Sequence, residues 1–316
     1  MRQYALRRMA YLPLIIAVVS CVTFFTLRLP FSQDPVVLLS TQSTTVEQQD
    51  AIRAELGLDK SMGRQFVEWI GDMVRGDLGR TFRSNEPVWK EVRDRVPVTL
   101  EILILALTLS TVVGVFVGVL SALRQNTPVD YTARFFAVFG QSVPEFFLLI
   151  LLIVLPSIWW NYSPPVGGHI SFFADPWENL RLYVPPALLL GFGHSAAMMR
   201  LTRSTMLEVL RQDYIRTARA KGLRHSSVVL RHALRNSLIP IITLFGAQVG
   251  LLFFGSLIFE QIFSINGIGQ FFFISVLTSD FPVIQFLVLY TAIIVVGLNL
   301  LVDLSYALID PRVKYR

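Results

Sequence analysis

The chain has 316 residues, a mean hydropathy of +0.56 and only 16% charged residues, well below the roughly 25% usual for soluble domains, so an ordinary soluble enzyme or nucleic-acid-binding domain is excluded. Its net charge of +6 says less than the placement of that charge around apolar segments. A single Cys leaves no intrachain disulfide and no cysteine metal framework.

A hydrocarbon core about 30 Å thick takes roughly 20 apolar residues in a helix. Six runs approach that length, at residues 9–27, 98–123, 135–160, 182–199, 238–259 and 281–302. Arg7 and Arg8 precede the first, and Val18-Val19-Ser20-Cys21 looks like a lipoprotein cleavage box. Val22, Phe24 and Phe25 continue the run past Cys21, so it reads as a retained anchor.

Between the first two runs, residues 46–56 and 63–74 alternate apolar and charged positions at helical spacing, with Gly57 and Gly76 as stops. With Trp69 and Trp89 to pack, this segment reads as a small helical cap of two or three helices and not as a spacer. In the second run, Glu101 lies near the outer edge and reaches water. The third run carries Glu145 beside Pro144 about halfway along. An ionisable group at that depth faces a protein interior or water, so Glu145 either lines a pathway that attracts a cationic ligand or pairs with another helix. Pro144 is tolerated there as in other membrane helices. Gly191-Phe192-Gly193-His194-Ser195 invites a nucleophile reading, but neighbours on a helix diverge and no third catalytic group is identifiable.

Lys and Arg in the short loops set the orientation. With the N-terminus inside, the inner segments hold Arg2, Arg7 and Arg8, then Arg124 and Arg134, the cluster from Arg200 to Arg235, and finally Arg312, Lys314 and Arg316. The short outer segments hold only Arg181. Both termini are therefore expected in the cytoplasm, in a multi-pass protein of the cell membrane.

The inner loop between the fourth and fifth runs contains DYIRTARAKGLRHSSVVLRHALRN, residues 213–236. From Thr205, the positions Leu207, Leu210, Tyr214 and Ala218 keep one apolar face at helical period. Arg211, Arg216, Arg219 and Lys221 lie off that face. Asp213 is expected to cap a short helix, and Gly222 followed by Leu223 to stop it with φ > 0. Ser226 or Ser227 would then cap a second helix running through Asn236 into the fifth span. Ala218 and Ala220 are small enough to let another polypeptide approach. The charge alone would suit an anchor beside anionic lipid; the capped helix suits a docking element.

These residues resemble the membrane subunits of ATP-binding-cassette importers, in the dipeptide, oligopeptide and nickel permease group. The carriers are DYIRTARAKGL at 213–223, HALRN at 232–236 and Pro240. Arg216-Thr217-Ala218 stands where the wider family has Glu-Ala-Ala. AIRAELGLDKSMGRQFVEWIGDMVRGDLGRTF, PVWKEVRDRVPVTLE and the C-terminal NLLVDLSYALIDPRVKYR look like the group's first permease subunit. Ser32-Gln33-Asp34-Pro35 replaces a Gly-Asp-Pro, and Ser264-Ile265-Asn266-Gly267-Ile268-Gly269 replaces a Trp-Pro-Gly segment.

The resemblance implies an all-α integral membrane protein with six transmembrane helices in the type I ABC importer permease fold, and a small helical extracytoplasmic insertion between helices 1 and 2. It divides the chain into residues 1–29, the cap 30–97, a transmembrane core 98–308 with its coupling loop at 204–237, and a tail 309–316. It implies half of a translocation pathway for di- or oligopeptides or a related solute such as nickel. The implied partners are a homologous second permease, two cytosolic ABC ATPases, an extracytoplasmic substrate-binding protein and membrane lipid, with no nucleic acid. ATP and Mg would sit on the ATPases, because this chain has no phosphate-binding Gly-Lys-Ser/Thr loop, and no cofactor, metal or catalytic residue is expected in it. Coupling to the ATPases would fall to Asp213, Tyr214, Ile215, Thr217, Ala218, Ala220, Lys221, Gly222 and Leu223. A self-sufficient secondary transporter or channel is the alternative, and would usually show an internal repeat with broken helices; no repeat is visible between the halves.

Overall fold

A computed structural model describes residues 2–28, 34–40, 45–163 and 165–309. Every regular element among them is helical, apart from an isolated bridge between Arg80 and Pro87. Helix α1 (Arg2–Thr26) is followed by three short helices, α2 (Pro35–Leu39), α3 (Val46–Glu55) and α4 (Met62–Val74). The main body comprises α5 (Val88–Leu123), α6 (Pro128–Ser142), α7 (Glu145–Trp160) and α8 (Pro176–Leu210). Then come α9 (Asp213–Ala220), α10 (His225–Ser227), a π-helical segment (Val228–Leu234), α11 (Arg235–Ile262), α12 (Ile268–Leu277) and α13 (Phe281–Ile309). Ser32 and Gln33 of the first departure, and Arg312, Lys314 and Arg316 of the tail, lie outside the described residues.

Four helical stretches among these residues are long and apolar enough to cross a bilayer: α5, α8, the continuous α10–α11 stretch and α13. The α6–α7 pair makes a fifth if counted as one bent span. The remaining run of the six is α1, whose described apolar part, Tyr11–Thr26, is shorter. α5 starts at Val88 and continues through Pro97, so the expected division between cap and core at 97–98 falls inside one helix.

Glycine decides how closely the central helices pair. A Cβ on Gly114 would lie 2.8 Å from the Ser195 carbonyl oxygen, one on Gly118 2.8 Å from that of Met199, and one on Gly191 2.8 Å from that of Ala106. The seam of α5 against α8 therefore requires these small residues, as expected where helices associate by close backbone contact in lipid. Beside it lies the main core, with Ile102 and Ala106 from α5, Tyr183 and Leu190 from α8, Leu149 from α7, and Leu252 and Phe259 from α11.

The segment ahead of α5 is packed. Thr45 and Gln48 form a reciprocal capping box at the start of α3, and Gly57 and Gly76 take φ of +65° and +86°, as their positions after α3 and α4 lead one to expect. α4 rests on the end of α1: the Trp69 and Phe66 rings lie 5.6 and 5.1 Å from that of Phe24. The Arg28 guanidinium sits over Phe24 at 3.6 Å, and its Nε donates to Gln65 Oε1 at 2.8 Å. Trp89 corrects the expectation that it packs inward: it is about half exposed, with Arg93 stacked on it. Glu101 does not simply reach water either; it is half-buried and accepts from Asn179 Nδ2 at 2.6 Å.

The second departure, 264–269, turns inward. The buried Glu260 carboxylate accepts from Thr99 Oγ1 (2.6 Å), Gly269 N (2.7 Å) and Gln270 N (3.1 Å), capping α12 from inside. A Cβ on Gly269 would lie 2.6 Å from the Leu257 Cα, and one on Gly267 2.3 Å from Glu260 Oε2, so the glycines of this segment make room for a carboxylate of their own chain.

Candidate functional site

Two regions gather the polar and exposed groups singled out by sequence: the loop around α9, and the break between α6 and α7.

α8 ends at Leu210, and the chain turns at Arg211 and Gln212 before α9 begins. The apolar face drawn from Thr205 through Ala218 is therefore split between two helices. Gln212, with extended φ and ψ, is the N-cap and makes no side-chain capping bond. Asp213 stands one residue later, fully exposed, 3.3 Å from Arg216 Nη1; this corrects the expected Asp213 cap. The stop matches expectation. Gly222 has φ +74°, its N–H donates to the Arg219 carbonyl, and the Leu223 N–H reaches back to that of Ala218, the Schellman arrangement.

α9 is pinned to its own chain. Ile215 and Ala218 are buried in a cluster with Ala122 of α5, Met206 of α8, and Val228, Val229 and Ala233 of the π-helical segment. Ala218 thus faces inward, which corrects its assignment to an approach surface for another polypeptide. Asp213, Tyr214, Thr217, Ala220, Lys221, Gly222 and Leu223 remain exposed. The Tyr214 hydroxyl accepts from Asn236 Nδ2 at 2.8 Å, so the two quoted motifs, 22 residues apart, close on each other.

The second half of the loop departs from expectation. Ser226 and Ser227 do not cap a helix; Arg224 is the N-cap and both serines lie inside α10. The chain then winds as a π-helix before continuing, as expected, through Asn236 into α11. Val228 and Ala233, five residues apart, are both buried in one cluster, together with Val229. An α-helix would rotate them roughly 140° apart, whereas i→i+5 winding brings them to one face.

At the other region, α6 and α7 meet at 98°. Pro144 has no N–H to continue α6 and pushes Val143 out of the helical region, and Val143 is extended, with φ −93° and ψ 127°. The third run is thus not a straight helix with a tolerated proline. Glu145, expected inside that helix, is the first residue of α7. Its Oε1 lies 3.2 Å from His194 Nδ1 on α8, and that nitrogen also lies 3.2 Å from the Leu190 carbonyl oxygen. Gly193 permits this approach, since a Cβ there would fall 2.8 Å from Glu145 Oε1 and 3.1 Å from the Gly140 carbonyl oxygen. Gln248 of α11 donates from Nε2 to the His194 carbonyl at 2.8 Å. Around these groups is a cavity of about 530 Å³. Ser195 bonds the Phe192 carbonyl of its own helix and takes no part.

Sequence reasoning set His194 aside and passed over Gln248, although a Gln inside an apolar run is itself a signal. It also counted Arg203 among the basic residues of the inner loop. Arg203 instead grips the fully buried Asp130 of α6 with Nε and Nη2, each at 2.7 Å, while Ser121 Oγ of α5 donates to the same carboxylate at 2.5 Å. The bidentate pair joins α6 to α8.

A family model described as binding-protein-dependent transport system inner membrane component matches residues 114–315, and the model of the corresponding N-terminal family matches residues 1–103. The dipeptide transport system permease protein DppB of Escherichia coli strain K12 is 37% identical over 341 aligned positions, covering 100% of both chains. The protein of the same description from Escherichia coli O157:H7 aligns equally well. A crystal structure of an amino acid ABC transporter with histidines is 16% identical and superposes with a TM-score of 0.49, covering 69% of this chain and 93% of that one.

Proposed function

Because the chain belongs to the family of binding-protein-dependent transport system inner membrane components, we propose that it forms half of the translocation pathway of an ATP-driven importer of dipeptides or other short peptides. The substrate class follows the dipeptide permeases that align with it end to end; nickel, which the sequence pattern also admits, is the weaker reading. A homologous second permease completes the pathway, an extracytoplasmic binding protein delivers the ligand, and two cytosolic ATPases bind ATP and Mg. The chain itself carries no ATPase site. It crosses the membrane six times in the type I importer arrangement, with α1 as the first span and bent α6–α7 as the third. α2–α4 form the outer insertion, and both termini are cytoplasmic.

The observation that carries this reading is α9, a short stopped helix between two spans, pinned from beneath and bare above. Ile215 and Ala218 fasten it to Met206 at the end of α8 and Ala122 at the end of α5. A push from a closing ATPase on Tyr214, Thr217, Ala220, Lys221 or Leu223 therefore passes into those two helices. Arg203 and Asp130 carry the displacement on to α6, whose far end is the break at Pro144 and Glu145. A rigid element linking nucleotide state to access at the pathway is the physical requirement for coupling.

The broken span is a feature that self-sufficient transporters share, so ATP dependence is the discriminating measurement. In proteoliposomes containing both permeases and both ATPases, dipeptide uptake should require ATP and binding protein, and Ala220→Glu should abolish ligand-stimulated hydrolysis. Uptake that persists without the ATPases overturns the importer reading; normal assembly and stimulation in Ala220→Glu overturn the role of α9. Glu145→Gln should reduce uptake, and unchanged uptake removes Glu145 from the pathway.

A further inference from the structure

The cavity at the α6–α7 break holds hydrogen-bond acceptors that the fold leaves open. Gln248 is 1% exposed, and its Nε2 donates to the His194 carbonyl. A carbonyl can only accept, so that bond fixes the orientation of the amide. Its Oε1 is then buried with no partner, a costly state for a polar atom. Gly140, also lining the cavity, has its carbonyl four residues before Pro144, which has no N–H to give it. Glu145 contributes a carboxylate. His194 Nδ1, between the Leu190 carbonyl and Glu145 Oε1, faces two acceptors and so carries the ring proton, already committed to those two.

We infer that the groups at this break, Glu145, Gln248 Oε1 and the Gly140 carbonyl, bind a primary ammonium group, the free amino end of a peptide in transit. An ammonium brings three donors and no acceptor, matching three acceptors around one cavity. Its charge meets the carboxylate, and it satisfies the orphaned oxygen of Gln248. A carboxylate end would place like charges together, and a neutral amide end, although its N–H could pair with that oxygen, would bring no charge to meet Glu145 and fewer donors. This inference rests on the reading of Glu145 as a pathway residue and adds the ligand group and a specificity-determining partner, Gln248.

The test uses the assembled permease–ATPase complex in nanodiscs, without binding protein, and labelled dialanine as probe. Saturable dialanine binding is expected, displaced by N-acetyl-dialanine at least about tenfold less well than by unlabelled dialanine, since one charge-assisted contact set is lost. Gln248→Met should weaken dialanine about tenfold and leave N-acetyl-dialanine unchanged. Equal displacement by the two probes, or no saturable binding up to ~10 mM, overturns the ammonium site, and so does a folded Gln248→Met complex with unaltered dialanine affinity. If Gln248→Met does not assemble, the comparison of the two probes on the unaltered complex decides. Loss of uptake in Glu145→Gln together with equal displacement by both probes would leave the pathway reading standing and remove only the ammonium site. Unchanged uptake in Glu145→Gln would remove both.

Discussion

Two interruptions of helical backbone, the loop around α9 and the α6–α7 break, are finished differently. Around α9 the backbone is closed on itself: Gly222 and Leu223 satisfy the last carbonyls of α9, Tyr214 is tied to Asn236, and Ile215 and Ala218 fill an apolar cluster. What remains outward is a ridge of side chains. At the α6–α7 break, Pro144 leaves a carbonyl of α6 without its helical donor, and a buried Gln248 oxygen has no partner. A region that satisfies its own polar groups makes a stiff surface for contact, whereas one that leaves acceptors open in a cavity makes a place for a ligand. The first should respond to bulk and charge on its outer ridge, the second to the loss of single polar atoms.

The sharpest contrast separates Ala218 from Ala220. Ala218→Glu places an unpaired charge in the cluster under α9 and should cost about 3 kcal/mol or more, seen as a lower unfolding midpoint of the purified complex and loss of co-purifying ATPase. Ala220→Glu should leave that midpoint within experimental scatter and still block stimulated hydrolysis; equal loss of stability in both variants would dissolve the distinction between base and ridge. Next in size is Gly193→Ala, whose methyl would displace the Glu145 carboxylate, costing about 1–3 kcal/mol by overpacking. Uptake should fall while ATPase co-purification stays normal, the reverse of the Ala218 pattern. Gly222→Val forces a β-branched residue to φ +74°, at about 1–2 kcal/mol, and should loosen α9 enough to lower stimulated hydrolysis severalfold with assembly retained. The smallest effect is expected of Arg224→Gln, on the exposed turn after the stop, within about 0.5 kcal/mol and with hydrolysis near normal. A large loss there would mean that the charge of the loop takes part in docking.

Much of this architecture is legible in the sequence. Apolar runs of span length, the glycine stops at Gly57, Gly76 and Gly222, and the short helix ending at Ala220 all follow from local rules: solvent transfer decides the runs, and steric freedom at φ > 0 decides the stops. Those rules act within a few residues of chain, so one sequence contains them whole.

What lay beyond them depended on partners distant in sequence. Whether Ala218 faces outward or inward was decided by Met206 and Val229, not by its size. The π-helical winding at Val228–Leu234 accompanies the burial of Val228, Val229 and Ala233 in one cluster with remote residues, for which local propensity has no signal. Pro144 could equally have kinked a span gently; the 98° turn exists because α8, bare of a side chain at Gly193, lets its backbone come up to the Gly140 carbonyl and the Glu145 carboxylate. Arg203, one basic residue among many in its stretch of sequence, is committed to Asp130, 73 residues away. Local chemistry set where the helices begin and end; which of their polar groups are spent on the fold and which are left for a ligand or a partner was set only when packing brought remote residues within hydrogen-bonding distance.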